Sequence, residues 1–172
     1  MPGQPRPPAQ VRIRDARAEE FDRIGELRVA ANRADGFLSD ASRYADTLRV
    51  LGMDGGGEIL AAVDDEGILG TVTLVFWPNG GEVLRDRGEG EVRALAVAST
   101  ARGRGIGRAL LAAAMQRARA RQVRELLLLT QPDMLAAQHL YAEAGFGRRP
   151  DRDFEYAPGH VLLAFGLTLA DG

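Results

Sequence analysis

The 172-residue chain contains no cysteine. That removes disulfides, thiolate zinc sites and a cysteine nucleophile. It contains no lysine either, since all 22 basic residues are arginine. Schiff-base chemistry and the phosphate-gripping lysine of a Walker loop are therefore excluded. Two histidines, His139 and His160, are too few for a histidine-rich metal site, and no metal is expected. None of the three serines lies in a G-x-S-x-G elbow, so no acyl-serine is expected. The 24 acids nearly cancel the 22 arginines, giving no global attraction to nucleic acid or anionic membrane. No apolar run approaches the roughly 20 residues needed to span a bilayer. Four of the eight prolines fall in "MPGQPRPPAQ" (1–10), which lacks an apolar region. It reads as a flexible tail rather than a signal or transit peptide, and the default location is cytoplasmic. Residues 11–172 read as a single domain with no internal repeat.

What is present alternates between strand and helix patterns. "VRIRDAR" (11–17) alternates like a strand, and "AEEFDRIGELRVAANRA" sets Phe21, Ile24, Leu27 and Arg28 at helical spacing behind leading acids. "SDASRYADTLRVL" (39–51) predicts a second amphipathic helix with Ser39 as its N-cap. After "MDGGGE", the runs "EILAAVDD" and "GILGTVTLVFW" form two strands joined at "DDEG". "PNGGEVLRDRGEG" (78–90) is a polar, mobile loop, and "EVRALAV" (91–97) a strand. Ile106, Leu110, Ala113 or Ala114, and Arg117 mark one face of a helix. "ELLLLT" (125–130) reads as a strand buried on both faces. "MLAAQHLYAEAGF" is a helix stopped by Gly145, and "HVLLAFGLTLA" a last strand. The class is mixed α/β.

The densest signal is "RGRGIG" (102–107), between a strand and a helix. A helix N-terminus exposes unpaired N–H groups and about half a positive charge. Glycines let the backbone close on an anion, and Arg102, Arg104 and Arg108 add charge at the rim. A Rossmann fingerprint would need glycine where Leu110 stands, and Glu125 as its distant acid follows a strand that is not the first. A nucleic-acid RGG segment would be repeated, and this one is single. A plain glycine turn between strand and helix also satisfies the residues taken alone.

The stretch "EVRALAVASTARGRGIGRALL" resembles motif A of the GNAT superfamily of acetyl-CoA-dependent N-acetyltransferases. That family's loop is R/Q-x-x-G-x-G/A, matched at every fixed position by Arg102 through Gly107. "LYAEAGF" (140–146) resembles its second signature, L-Y-x-x-x-G-F, in the expected order and spacing. The likeness spans about residues 11–169. It implies an α/β (α+β) fold: a mixed, mostly antiparallel sheet, splayed at its central strands, with helices on both faces. It also implies acetyl-CoA as co-substrate and direct attack by a primary amine on a small molecule or peptide. A homodimer is common among proteins of this kind.

By that resemblance, the backbone of Leu95, Ala96 and Val97 lies along the pantetheine arm, with the Leu95 N–H polarising the thioester carbonyl. Arg102, Gly103, Arg104, Gly105, Ile106, Gly107 and Arg108 hold the diphosphate. Met134 and Ala137 flank the coenzyme; Met134 stands where many members carry an asparagine, with Asp133 beside it. Tyr141 matches the tyrosine that protonates the departing thiolate. Glu91 takes the position of a glutamate that deprotonates the amine, with Glu89 and Glu82 as substitutes. Period 2 would put Glu91, Arg93, Leu95 and Val97 on one face, where Arg93 could instead pair with Glu91. His139 reads as a surface or packing residue, His160 lies near a substrate mouth, and Phe76 and Trp77 read as packing residues. Acids at Asp40, Glu82 and Glu89 are compatible with a cationic acceptor. The rival function is a non-catalytic acyl-CoA-binding sensor of the same fold.

Overall fold

The computed structural model describes residues 10–39, 41–81 and 83–169. The flexible-tail expectation for residues 1–9 and the roles considered for Asp40 and Glu82 lie outside the described residues. The strands are β1 (Arg12–Asp15), β2 (Glu58–Asp64), β3 (Gly67–Phe76), β4 (Glu89–Val97), β5 (Glu125–Thr130), β6 (Gly147–Arg148), β7 (Phe154–Ala157) and β8 (His160–Thr168). The α-helices are α1 (Phe21–Ala34), α2 (Tyr44–Val50), α3 (Ile106–Ala120) and α4 (Leu135–Glu143). The sheet runs β1-β2-β3-β4-β5-β8-β6, with β7 paired to β8. β4 and β5 are parallel, whereas β3–β4 and β5–β8 are antiparallel.

Helices cover both faces. The apolar stripe of α3, Ile106, Leu110, Leu111, Ala114 and Ala118, is buried with Leu60, Val72, Leu74, Leu126 and Leu128 of the sheet and with Tyr141 of α4. Such a stripe, repeating every three or four residues, stabilises a helix mainly through what it buries. On the opposite face Val29 of α1 meets Leu38 and α2's Ala45 and Leu48. The continuous "LLLL" of β5 makes sense here: Leu126 and Leu128 serve the first cluster, while Leu127 packs with Val83 and Leu84. Arg28, set by helical spacing on the apolar face of α1, is fully buried. Its guanidinium donates to the Leu48 and Leu51 carbonyls at the end of α2 and to Thr73 Oγ1 of β3.

One expectation about elements is corrected, and one segment holds strands not anticipated from the sequence. Helix α2 begins at Tyr44, and Ser39 is not its cap. The Ser39 carbonyl instead accepts the Ser42 N–H, and Ser42 Oγ accepts the Tyr44 N–H at 3.3 Å. The segment after Phe146 holds strands β6 and β7, whose 2 and 4 residues are too few to announce them. Pairing to β8 and the Arg148–Asp153 fork (2.7 and 2.9 Å) hold them in place.

The feature that creates a site is the parting of β4 from β5. They pair only from Glu89–Glu125 to Val92–Leu128, while β4 continues to Val97. Beyond Val92 the edge of β4 facing β5 is unpaired by its neighbour, an arrangement that leaves backbone donors and acceptors for another partner. A bulge lies in this stretch: Thr73 pairs with Arg93 but Thr71 with Ala96, and Ala94 has φ 52°. The bulge breaks the period-2 reading. Leu95 and Val97 join Val92 against the α3 cluster, whereas Ala94 packs against α1 and α2. Glu91 and Leu95 are therefore not on one face.

Candidate active site

Where β4 and β5 diverge, a cavity of about 500 Å³ opens between the end of α1, β4, the 102–108 loop and α4. From β4 it is lined by Leu95, Ala96 and Val97; from the loop and first turn of α3 by Arg102, Gly103, Gly105, Ile106, Gly107 and Arg108; from α4 by Met134, Ala137 and Tyr141. Residues nominated separately along the sequence thus share one wall. Arg104 does not line it: its guanidinium turns to the Asp64 carboxylate at the β2–β3 turn, 3.3 Å away.

The loop adopts the shape an anion cradle requires. Gly103 and Gly105 have φ of 76° and 73°, left-handed values that favour glycine. A Cβ at either would meet nothing within 4 Å, so backbone conformation, not crowding, demands glycine there. The first intrahelical bond of α3 runs from the Ala109 N–H to the Gly105 carbonyl, at 3.0 Å. The N–H groups of Ile106, Gly107 and Arg108 precede it and have no partner within the helix. Together with the dipole of a 15-residue helix they present a positive end.

The arginines at this end are not free. Arg102 forms a two-toothed pair with Asp35, at the end of α1, with N–O distances of 2.5 and 2.8 Å. Arg108 donates to Glu143 at 2.7 Å, and His139 also approaches Glu143 at 3.1 Å. The α1 side of the cavity (Asn32, Asp35 and Phe37) was missed in the sequence, because only the tertiary fold brings it to the loop.

Tyr141 sits in α4 with its ring near Phe146 and Phe165, at centroid distances of 6.1 and 6.3 Å. Burial pushes its hydroxyl up to about pKa 12. The hydroxyl therefore keeps its proton at physiological pH. Met134 caps α4 and adds an apolar surface where the family asparagine was expected.

Glu91 does not line the cavity. It is buried, accepts the Gly81 N–H at 3.1 Å, and lies 3.6 Å from Arg93 Nε. Desolvation raises its pKa, with Arg93 and the Gly81 N–H opposing. Glu89, considered as a substitute base, is buried and engaged by Arg152 and the Arg85 N–H. Its carboxylate is structural. The His160 ring lies tilted beside Tyr156, with centroids 5.7 Å apart, and with Asp133 it lines a second, smaller recess. Phe76 packs against the core beneath Arg121, but Trp77 is exposed, contrary to its reading as packing. No group of three or more potential metal ligands occurs among the described residues, and no described helix is long and apolar enough to cross a membrane.

The geometry fits a coenzyme with an anionic head and an extended amide arm. The 102–108 amides and positive-φ glycines would hold the head, the unpaired β4 edge would take the arm, and apolar Val97, Met134 and Ala137 line the wall beside it. Comparisons with known proteins agree. The model of the acetyltransferase (GNAT) family matches residues 21–146. No curated protein matches significantly. Among solved structures, a GNAT-family acetyltransferase from Staphylococcus aureus Mu50 aligns over 94% of this chain and 100% of its own, at TM-score 0.73 and 15% identity. The structure of yncA from Salmonella typhimurium with its cofactor acetyl-CoA covers 94% and 95%, at TM-score 0.69 and 19% identity. The PaiA N-acetyltransferase of Thermoplasma acidophilum, in complex with coenzyme A, covers 93% and 99%, at TM-score 0.69 and 15% identity. Split sheet, glycine loop and family match lead to one conclusion: the chain belongs to the GNAT family of acetyltransferases, whose co-substrate is acetyl-CoA.

Proposed function

We propose that the protein moves an acetyl group from acetyl-CoA to a primary amine by direct attack, without an acetyl-enzyme. The observation that carries this reading is the convergence of three devices on one cavity: the 102–108 amides, the unpaired β4 edge at Leu95–Val97, and Tyr141. Acetyl-CoA supplies an activated acyl group. The loop amides hold its diphosphate, and the β4 edge aligns its arm as an extra strand in the gap. The Leu95 N–H donates to the thioester carbonyl, where negative charge develops during attack.

The acceptor must arrive neutral, whereas an alkyl ammonium has a pKa near 10. Glu91 remains the proposed base; because it does not line the cavity, the proton must reach it through a chain of waters, and its desolvated carboxyl accepts protons more readily than an exposed glutamate. Tyr141 donates its proton to the leaving sulfur. Its raised pKa keeps it protonated before attack and also makes it a weaker acid than an exposed tyrosine, so the transfer to sulfur accompanies the charge that develops as the C–S bond breaks.

The test is Tyr141→Phe. Turnover with an active amine, found from a panel scored by CoA release, falls about 10²-fold or more. The acetyl-CoA dissociation constant, measured by calorimetry, stays within about twofold, since a buried ring that keeps its shape keeps the wall. Unchanged turnover would remove Tyr141 from the chemistry.

A further inference from the structure

Among the described residues, Asp35 is the one carboxylate lining the cavity, and it faces the phosphate loop across the opening. Its two oxygens take the two terminal nitrogens of Arg102, at 2.5 and 2.8 Å, across 67 positions of sequence. Both side chains remain partly exposed, at 42% for Arg102 and 35% for Asp35, so the pair lies where an incoming ligand can reach it. Asp35 ends α1 and is followed by Gly36 at φ 77°. The pair therefore ties the end of α1 to the loop.

A guanidinium fork matches a carboxylate or a phosphate equally well. Coenzyme A brings a diphosphate to the loop on which Arg102 stands, and the Asp35 carboxylate already fills the fork. A fixed negative charge at the rim also repels that diphosphate. The two effects act in the same direction.

We propose that Asp35 is a positioning residue that competes with the coenzyme for Arg102. In the structure Arg102 is docked on Asp35; on coenzyme binding the fork passes to the diphosphate and Asp35 loses its partner. The proposal rests on the assignment of the 102–108 loop to coenzyme A. Its consequence is specific: removing the Asp35 charge strengthens binding, the reverse of what loss of a merely structural contact does.

The experiment is a calorimetric double-mutant cycle with acetyl-CoA as the probe, using the full chain, Asp35→Asn, Arg102→Gln and the double variant. Asp35→Asn binds about two- to fivefold more tightly than the parent, the range expected for a partly exposed ion pair. In the Arg102→Gln background the same change has a much smaller effect. Asp35→Ala, with thermal midpoints for all variants, separates a folding defect from a binding effect. Unchanged or weaker binding in both Asp35 variants, or an equal gain with and without Arg102, overturns the competition. Failure of the parent itself to bind acetyl-CoA is a different outcome, which overturns the assignment of the loop and, with it, this inference.

Discussion

Buried charge in this molecule is concentrated at a few residues, and each is solved differently. Arg28 spends its donors on two carbonyls at the C-terminal end of α2 and on Thr73, the end of a helix where a cation is favoured. Burial still lowers its pKa to about 10. Glu91 is the opposite case: desolvation outweighs Arg93 and the Gly81 N–H, and its pKa rises. A carboxyl whose folded pKa lies above its unfolded one contributes stability that is complete below the ordinary value of 4.5 and is lost as pH rises through the folded pKa. Glu91→Gln should therefore gain stability relative to the parent between pH 4 and neutrality, with little difference at the acid end. Thermal midpoints measured across that window check this. A Gln variant that loses ground as pH rises contradicts the desolvated picture. Tyr141 adds no such dependence at neutral pH, because both its ordinary pKa of 10.0 and its folded value of about 12 leave it protonated there.

At the scale of elements, the strand–loop–helix unit 89–120 carries most of the site, and much of it was legible. "RGRGIG" announced a loop with glycines at special conformations, and Gly103 and Gly105 do have positive φ. The stripe Ile106, Leu110 and Ala114 announced α3, and the four leucines of β5 a strand covered on both sides. The bulge was not legible. It rests on Ala94 at φ 52°, and an alanine gives no hint that it will leave the β region. That single slip moved Leu95 to the α3 side and separated it from Glu91. Nor did the sequence announce β6 and β7, whose exposed residues are ordered by pairing to β8 and by arginine–aspartate contacts. The loop also gives an element-scale prediction. Gly105→Ala places a side chain in open space but in a left-handed conformation, costing about 1–2 kcal/mol. A loop that relaxes away from this shape loses its converging amides, so acetyl-CoA binding weakens about tenfold. Calorimetry on the variant decides it, and unaltered affinity would mean that the amides are not the cradle.

For the whole molecule, the near balance of 22 arginines and 24 acids conceals local pairing that composition cannot reveal. Arg102, Arg104 and Arg108, read in the sequence as free positive charge around a phosphate, each have a carboxylate partner: Asp35, Asp64 and Glu143. The positive potential of the cavity thus comes chiefly from backbone amides and the α3 dipole. The α1 wall was invisible for the same reason, since Asp35 reaches the loop only when α1 docks across β4. The lack of lysine has a consequence at this scale as well: the chain offers its own co-substrate no ε-amine to acetylate.

The account stands most directly on calorimetric titration of the folded protein with acetyl-CoA, alongside NAD as a control dinucleotide. It predicts saturable binding of one acetyl-CoA per chain, weakened by Gly105→Ala, and no comparable heat with NAD. Absence of acetyl-CoA binding at millimolar ligand, in a protein whose circular dichroism and thermal transition show it folded, would contradict it.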